Sequence, residues 1–238
     1  MRSALHAEWT KLRTSPGTLA LLLAVVAGTV AVSAAATSCT GAGCGPDLPK
    51  VSLTGVQLGQ AVVAILAVLV MGNEYSTGMI GVTLTAVPRR GRVLVAKAVL
   101  VAAVVTVAAT VAVAGSLIVG GLLLPAHDVG LRPAVGSVLY LVLIGLLSLG
   151  TATAVRNPAA AVGVVLALLY ALPIVAGVVT DPAWQKHLQQ IGPASAGLAV
   201  QATTGHLVIG PWKGLGILAL WAFGALLAGG ALLTRRDA

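Results

Sequence analysis

Charged side chains make up only 8% of this 238-residue sequence, about a third of the share usual in a soluble domain. So few charges could not cover the chain with a water-compatible surface, which excludes an ordinary soluble globular protein. Aromatic residues are also scarce, at 3% with a single Phe. The apolar mass is therefore Ala, Val, Leu, Ile and Gly. No GxxxxGK[ST] phosphate loop occurs, nor HExxH, nor a GxSxG elbow. Nucleotide hydrolysis of the P-loop kind, zinc proteolysis and elbow-type acyl transfer thus lack their signatures. No paired catalytic groups are visible that would suit an intramembrane enzyme. The four histidines, His6, His127, His187 and His206, are scattered in flanks and loops. A formal net charge of +8 raises the question of nucleic acid. Yet the basic residues lie in short gaps between apolar runs, without an arginine-rich tract or interleaved aromatics, so no nucleic-acid partner is expected.

What is present is a set of long uncharged runs, and the mean hydropathy is +1.02. A membrane helix needs about 20 mostly apolar residues. Uncharged stretches bracketed by charges place six such spans, near 17–37, 53–72, 98–124, 133–155, 158–179 and 214–234. The shortest bracketed run, 214–234, reaches about 32 Å at helical rise, enough for the hydrocarbon core. The in/out alternation of a membrane β-barrel is missing. The fold class expected is therefore an all-α membrane protein, one transmembrane domain over 1–238. Bracketing by charge leaves the spans free of ionisable groups by construction. On that basis no proton- or ion-coupling group is expected at membrane depth.

Local chemistry supports the boundaries. Asn157-Pro158 reads as an N-cap followed by the first helical residue. Pro125 closes the third run. Pro173 falls inside the fifth run and predicts a kink. Gly55 and Gly59 form a GxxxG one turn apart, read either as a close helix contact or as a reflection of 29 glycines in the chain. Residues 184–191 can form a short helix with Trp184, Leu188 and Ile191 on one face.

The Lys and Arg distribution gives an orientation. With the N-terminus inside, ten of the fourteen basic residues fall on inner segments, and the reverse orientation violates the positive-inside rule. Both termini are expected in the cytoplasm. A cleaved secretory signal ending near Ala34-Ala35-Ala36 is the competing reading of the first run, but that run is longer than a signal core and starts late, after Arg13. Segment 180–212 then lies outside, as does the first loop with Cys39 and Cys44. On the outer side of a membrane this pair favours a disulfide over two free thiols. No His or carboxylate cluster accompanies them, so no metal is expected.

Two inner segments stand out. Residues 1–14 place Leu5, Trp9 and Leu12 at i, i+4 and i+7 with basic residues beside them, the pattern of an amphipathic helix on the inner membrane face; a frayed tail is the plainer reading. Residues 73–92 join spans two and three. Glu74 opens this segment, Gly78 follows four residues later, Arg89, Arg90 and Arg92 close it, and Lys97 ends the basic start of the next span. From the residues alone, a rigid element pushed by another protein and an ordinary amphipathic loop are equally supported.

The start Glu8-Trp9-Thr10-Lys11-Leu12-Arg13 resembles the N-terminus of bacterial ABC-2 type transporter permeases. So do Asn73-Glu74-Tyr75-Ser76-Thr77-Gly78 and the later Thr85, Pro88, Arg89 and Arg90. The six-span layout is similar over essentially the whole chain. This resemblance implies the membrane subunit of an exporter in the bacterial plasma membrane. It implies an ABC ATPase subunit that binds the ATP, so that the permease itself holds no cofactor and is not an enzyme. It also implies a second permease protomer, identical or paralogous, with both surrounded by membrane lipid. Glu74, Tyr75, Gly78, Arg89 and Arg90 then fall on the coupling segment, and Glu8, Trp9 and Lys11 on the interface helix. Residues 193–197 resemble the family's outer stretch before the last span. The alternative is a non-transporting membrane scaffold or immunity protein.

Overall fold

A computed structural model describes residues 9–11, 13–38, 47–81, 90–123, 130–204 and 209–235. Glu8, Leu12, Cys39, Cys44 and Arg89 lie outside them, so the disulfide expectation and part of the two inner segments do too. Among the described residues all regular structure is helical. The elements are α1 (Pro16–Thr37), the short α2 (Leu48–Ser52), α3 (Val56–Ser76), α4 (Arg90–Leu123), α5 (Leu131–Val155), α6 (Pro158–Leu166), α7 (Leu172–Val178), α8 (Pro182–Ile191), α9 (Pro193–Leu198) and α10 (Pro211–Arg235). Six stretches are long and apolar enough to cross a membrane: α1, α2 with α3, α4, α5, α6 with α7, and α10. The six-span all-α class is thus observed.

Proline and small caps set the starts. α1, α6, α8, α9 and α10 each begin at a proline, where the missing N–H costs nothing and the fixed φ suits a first turn. Asn157 caps α6 by accepting from the Ala160 N–H at 3.0 Å, as its sequence suggests. Asp181 caps α8 from Ala183 at 2.8 Å. The helix expected over 184–191 is therefore present as α8.

α3 and α5 form the centre. Each is 56% buried along its most apolar window, against 17% for α1. α5 packs on α10, α3 and α4, while α1 packs on α3 and α4. The GxxxG is a contact surface: a Cβ on Gly55 would sit 1.9 Å from the Thr29 carbonyl oxygen, and one on Gly59 would sit 2.5 Å from the Thr29 hydroxyl. The Gly55 N–H also donates to Ser33 Oγ at 3.1 Å. Small residues thus bring two backbones together where the bilayer offers no hydrophobic drive between helices.

The irregularity expected around Pro173 has a definite form. A π-helical turn, Ala167–Ala171, joins α6 to α7. Pro173 has no N–H for the carbonyl four residues earlier, and the Leu172 N–H reaches back five residues to Ala167. The chain widens by one residue rather than breaking. Tyr170 in this turn donates its hydroxyl to the Gln57 carbonyl of α3.

Polar side chains also lock the interior. Tyr140 of α5 donates to Gln60 Oε1 of α3, and Gln201 Nε2 donates to Ser137 Oγ at 3.0 Å. All four are buried, and partnering is what makes their burial tolerable. At the same end, Asp47 accepts from the Thr203 N–H and hydroxyl, both at 2.7 Å, and from Thr204.

Candidate coupling site

The opposite end of α3 gathers the residues that the sequence singles out. Glu74 and Tyr75 do not open a separate segment; they occupy the last turn of α3, which runs to Ser76. The apolar run of α3 continues through Met71 and Gly72 without a breaker, so the helix carries Glu74 in with it. Thr77 is the C-cap and Gly78 follows at φ +70°. A glycine there ends the helix in the left-handed conformation that other residues pay strain to adopt. The spacing of Glu74 and Gly78 thus has a local cause: one last helical turn, then a stop. Residues 79–81 are helical again, and residues 82–89 are not described.

Glu74 is only 7% exposed. Its Oε1 accepts from Lys11 Nζ at 2.8 Å and from Lys97 Nζ at 2.9 Å. Lys97 is 1% exposed and donates also to the Val70 carbonyl at 3.3 Å. Here the expectation of charge-free spans is corrected. α4 begins at Arg90 rather than near 98, so Lys97 lies two turns inside it, facing α3. Charge bracketing put Lys97 at a boundary because it treats every charge as solvated; a paired charge can instead be carried inside. Glu74 Oε2 is buried with no hydrogen-bond partner.

Lys11 comes from the N-terminal segment, of which residues 9–11 and 13–14 are helical. It is part-exposed, at 43% of its side chain. Trp9 is half exposed and lines an apolar groove of about 500 Å³ between α1 and α4. Lys11 and Glu74 line a cleft of about 310 Å³ between the beginning of α1 and the end of α3.

Tyr75 reaches a different neighbour. The Arg156 guanidinium lies 5.8 Å from its ring centroid, within cation–π range. Arg156 follows α5 as its C-cap at φ 61°, and its Nη2 donates to the Leu232 carbonyl of α10 at 3.3 Å. It is the one non-glycine residue with positive φ among those described. A Cβ at Gly72 would meet Pro158 of α6 at 2.7 Å. The last turn of α3 is therefore joined to the N-terminal segment, α4, the end of α5, α6 and, through Arg156, α10.

Of the residues expected at the site, Lys11, Glu74 and Tyr75 are brought into this junction, and Gly78 terminates it. Trp9 lies apart, on the other side of α1. Arg90 opens α4, its side chain outside the described atoms. Lys97 and Arg156 were missed. For Lys97 the available signal was the apolar run Val93–Ala96, which sets it one turn beyond Arg92 and continuous with the span that follows. For Arg156 it was the position just before an N-cap and proline, where one helix must stop and turn.

A family model described as ABC-2 family transporter protein matches residues 4–180. The match takes in the N-terminal segment, α1 to α7 and every residue of the junction except Leu232. A search of curated proteins finds no match. Together with the six apolar stretches, it makes the chain a multi-pass membrane protein.

Proposed function

The chain belongs to the ABC-2 family of transporter proteins, and from that premise we propose that it is the export permease that a separate ATPase subunit drives from the cytoplasm. The reading is carried by one observation: Glu74, in the motif resembling the family's coupling segment, holds both Lys11 of the N-terminal segment and Lys97 of α4. A load applied near Gly78 reaches three separate parts of the bundle through that one carboxylate. ATP-driven closure of the ATPase subunits would bias the bundle toward an outward-open state, since a ligand shifts an equilibrium only by binding the two states differently. The energy source is assigned to the partner because the chain's sequence has no phosphate loop. The same reading puts the Glu74 end and both termini in the cytoplasm of a bacterial cell, α8 and α9 outside, and a second six-span protomer across the pathway.

The test is co-purification from the native membrane, read for a P-loop ATPase that comes with the chain. Wild type is expected to bind that ATPase and stimulate its turnover in proteoliposomes. Gly78→Pro, which forces φ away from +70°, is expected to insert normally yet lower stimulated turnover at least about tenfold, a loss of about 1.4 kcal/mol in coupling. Isolation without any ATPase, and no stimulation when one is added, would leave the scaffold or immunity reading in its place.

A further inference from the structure

The spans expose few polar side chains away from their ends, and most of these are already paired. Thr106 and Thr110 on α4 donate to the carbonyls four residues earlier, at 2.6 and 2.7 Å. Trp221 on α10 donates its indole N–H to the Ile191 carbonyl at 2.9 Å. Gln57 of α3 differs. Its side chain is exposed, and among the described residues its amide makes no hydrogen bond; the Tyr170 hydroxyl donates to its backbone carbonyl instead. Two neighbours fix its depth, at the end of the bundle remote from Glu74. The flanking Gly55 and Gly59 lie against Thr29, which is eight residues inside the end of α1, and Tyr170 is eight residues inside the end of α7. Eight residues are about 12 Å of helix, against about 15 Å for half the hydrocarbon core. An amide at that depth is costly to leave facing lipid, which offers it neither donor nor acceptor.

We propose that the Gln57 amide pairs with its own counterpart in a second copy of this chain, across a two-fold axis that passes beside α3. The proposal deepens the second-protomer part of the function above and rests on it. A primary amide carries donors and an acceptor together. It therefore complements itself, as a residue at the centre of an isologous interface must. The strip that continues from it points the same way. Ala61, Ile65 and Leu69 follow at four-residue steps, all part-exposed and all apolar. One polar group at the head of an apolar strip is the pattern by which packed helices fix their register and their partner. Between membrane helices a glutamine amide supplies attraction that apolar side chains alone do not. A water-lined path would instead carry polar groups along its length.

The test uses the full chain in proteoliposomes, with Cys39→Ser and Cys44→Ser to clear the background. Chains carrying Gln57→Cys are oxidised with copper phenanthroline and run on a non-reducing gel, where a covalent dimer is expected. Thr106→Cys, exposed on α4, is the control and is expected to stay monomeric on the gel. Separately, donor- and acceptor-labelled chains are diluted into increasing lipid, and association is read by energy transfer. Gln57→Leu is expected to raise the dissociation constant about three- to tenfold, the loss of interhelical hydrogen bonding in a membrane. Its melting temperature should not fall, because the amide has no partner within its own chain. Dimers that lack the Gln57→Cys cross-link, or that cross-link equally through Thr106→Cys, put the contact elsewhere; they overturn this surface while the second protomer stands. A wild type that stays monomeric overturns the pairing together with an identical second protomer. Gln57→Leu that dissociates like wild type overturns the role of the amide. So does ready labelling of Gln57→Cys by a membrane-impermeant methanethiosulfonate, which means that water rather than a second copy meets this face.

Discussion

Lys97 of α4 and Glu74 of α3 form an ion pair at 2.9 Å with the lysine 1% exposed. Its nearest counterpart, Lys11 to the same oxygen at 2.8 Å, is part-exposed. The two contacts are nearly equal in length and differ in surroundings, and the surroundings decide what each is worth. Taking charge out of water is costly, and removing one member of a buried pair strands the other. Lys97→Met is expected to destabilise the chain by about 3–5 kcal/mol, and Lys11→Met by about 0–1 kcal/mol. The double variant Glu74→Leu with Lys97→Met should recover most of the loss, because nothing charged remains buried. Thermal denaturation in detergent measures all three. Equal destabilisation by the two single lysine variants would show that burial does not govern this pair.

The glycines divide into those under contact and those facing open space. A Cβ at Gly55 would meet the Thr29 carbonyl oxygen at 1.9 Å, and one at Gly214 would meet the Ala196 carbonyl oxygen at 1.9 Å. Both obstacles are backbone, which cannot swing aside. Gly55→Ala and Gly214→Ala are therefore expected to cost about 1–3 kcal/mol or more as helices are forced apart. Gly216 and Gly224, on the same α10 as Gly214, have nothing within 4 Å of a built Cβ. Alanine at either is expected to be neutral or slightly stabilising, since it removes only glycine's helix penalty of about 1 kcal/mol. Melting temperatures of the four variants check the division.

The six spans were legible because lipid imposes one simple rule, an uninterrupted apolar run. The helices α1, α5 and α10 begin and end within a few residues of the apolar runs in the sequence. Asn157 at its cap and the distortion near Pro173 were readable too, because each depends on neighbours in sequence. The burial of Lys97 was not. Nothing within one helix says that a carboxylate on another will meet it, and Glu74 lies 23 residues away. The buried Gln60–Tyr140 contact escaped for the same reason, across 80 residues. For the GxxxG the residues named the possibility, and only the packing of Thr29 and Ser33 against it decided between contact and composition.

Asp47 provides a pH-dependent latch at the other end. Partial burial raises its pKa, but the hydrogen bonds from the Thr203 hydroxyl and from the backbone N–H groups of Thr203, Thr204 and Lys50 outweigh this, and the carboxyl ends below its ordinary value. A carboxyl with a folded pKa below the unfolded value of about 3.9 contributes stability above that value and loses it as pH falls through the folded one. Thermal stability in detergent is expected to drop below about pH 4 from this group. Asp47→Asn should flatten that part of the profile and lower stability at neutral pH by about 1–3 kcal/mol, since several donors lose a charged acceptor. A profile with the same slope in both proteins would remove Asp47 as the cause.

Arg156 combines a useful side chain with a costly backbone. Its guanidinium lies over Tyr75 and donates to the Leu232 carbonyl, while its φ of 61° belongs to the left-handed region. A non-glycine residue there costs about 1–2 kcal/mol. The two effects separate by substitution. Arg156→Ala loses both side-chain contacts and keeps the strain. Arg156→Gly loses the same contacts and relieves it, glycine being the residue that most often follows a helix in this conformation. Gly is therefore expected to be the more stable variant by about 1 kcal/mol, although truncation to Ala is ordinarily the milder change. Arg156→Lys keeps the charge and the strain but loses the planar group that lies on the ring, and is expected to fall between wild type and Arg156→Ala. Melting of the three variants in one detergent gives the order, and alanine melting above glycine would mean that the backbone at Arg156 carries no strain.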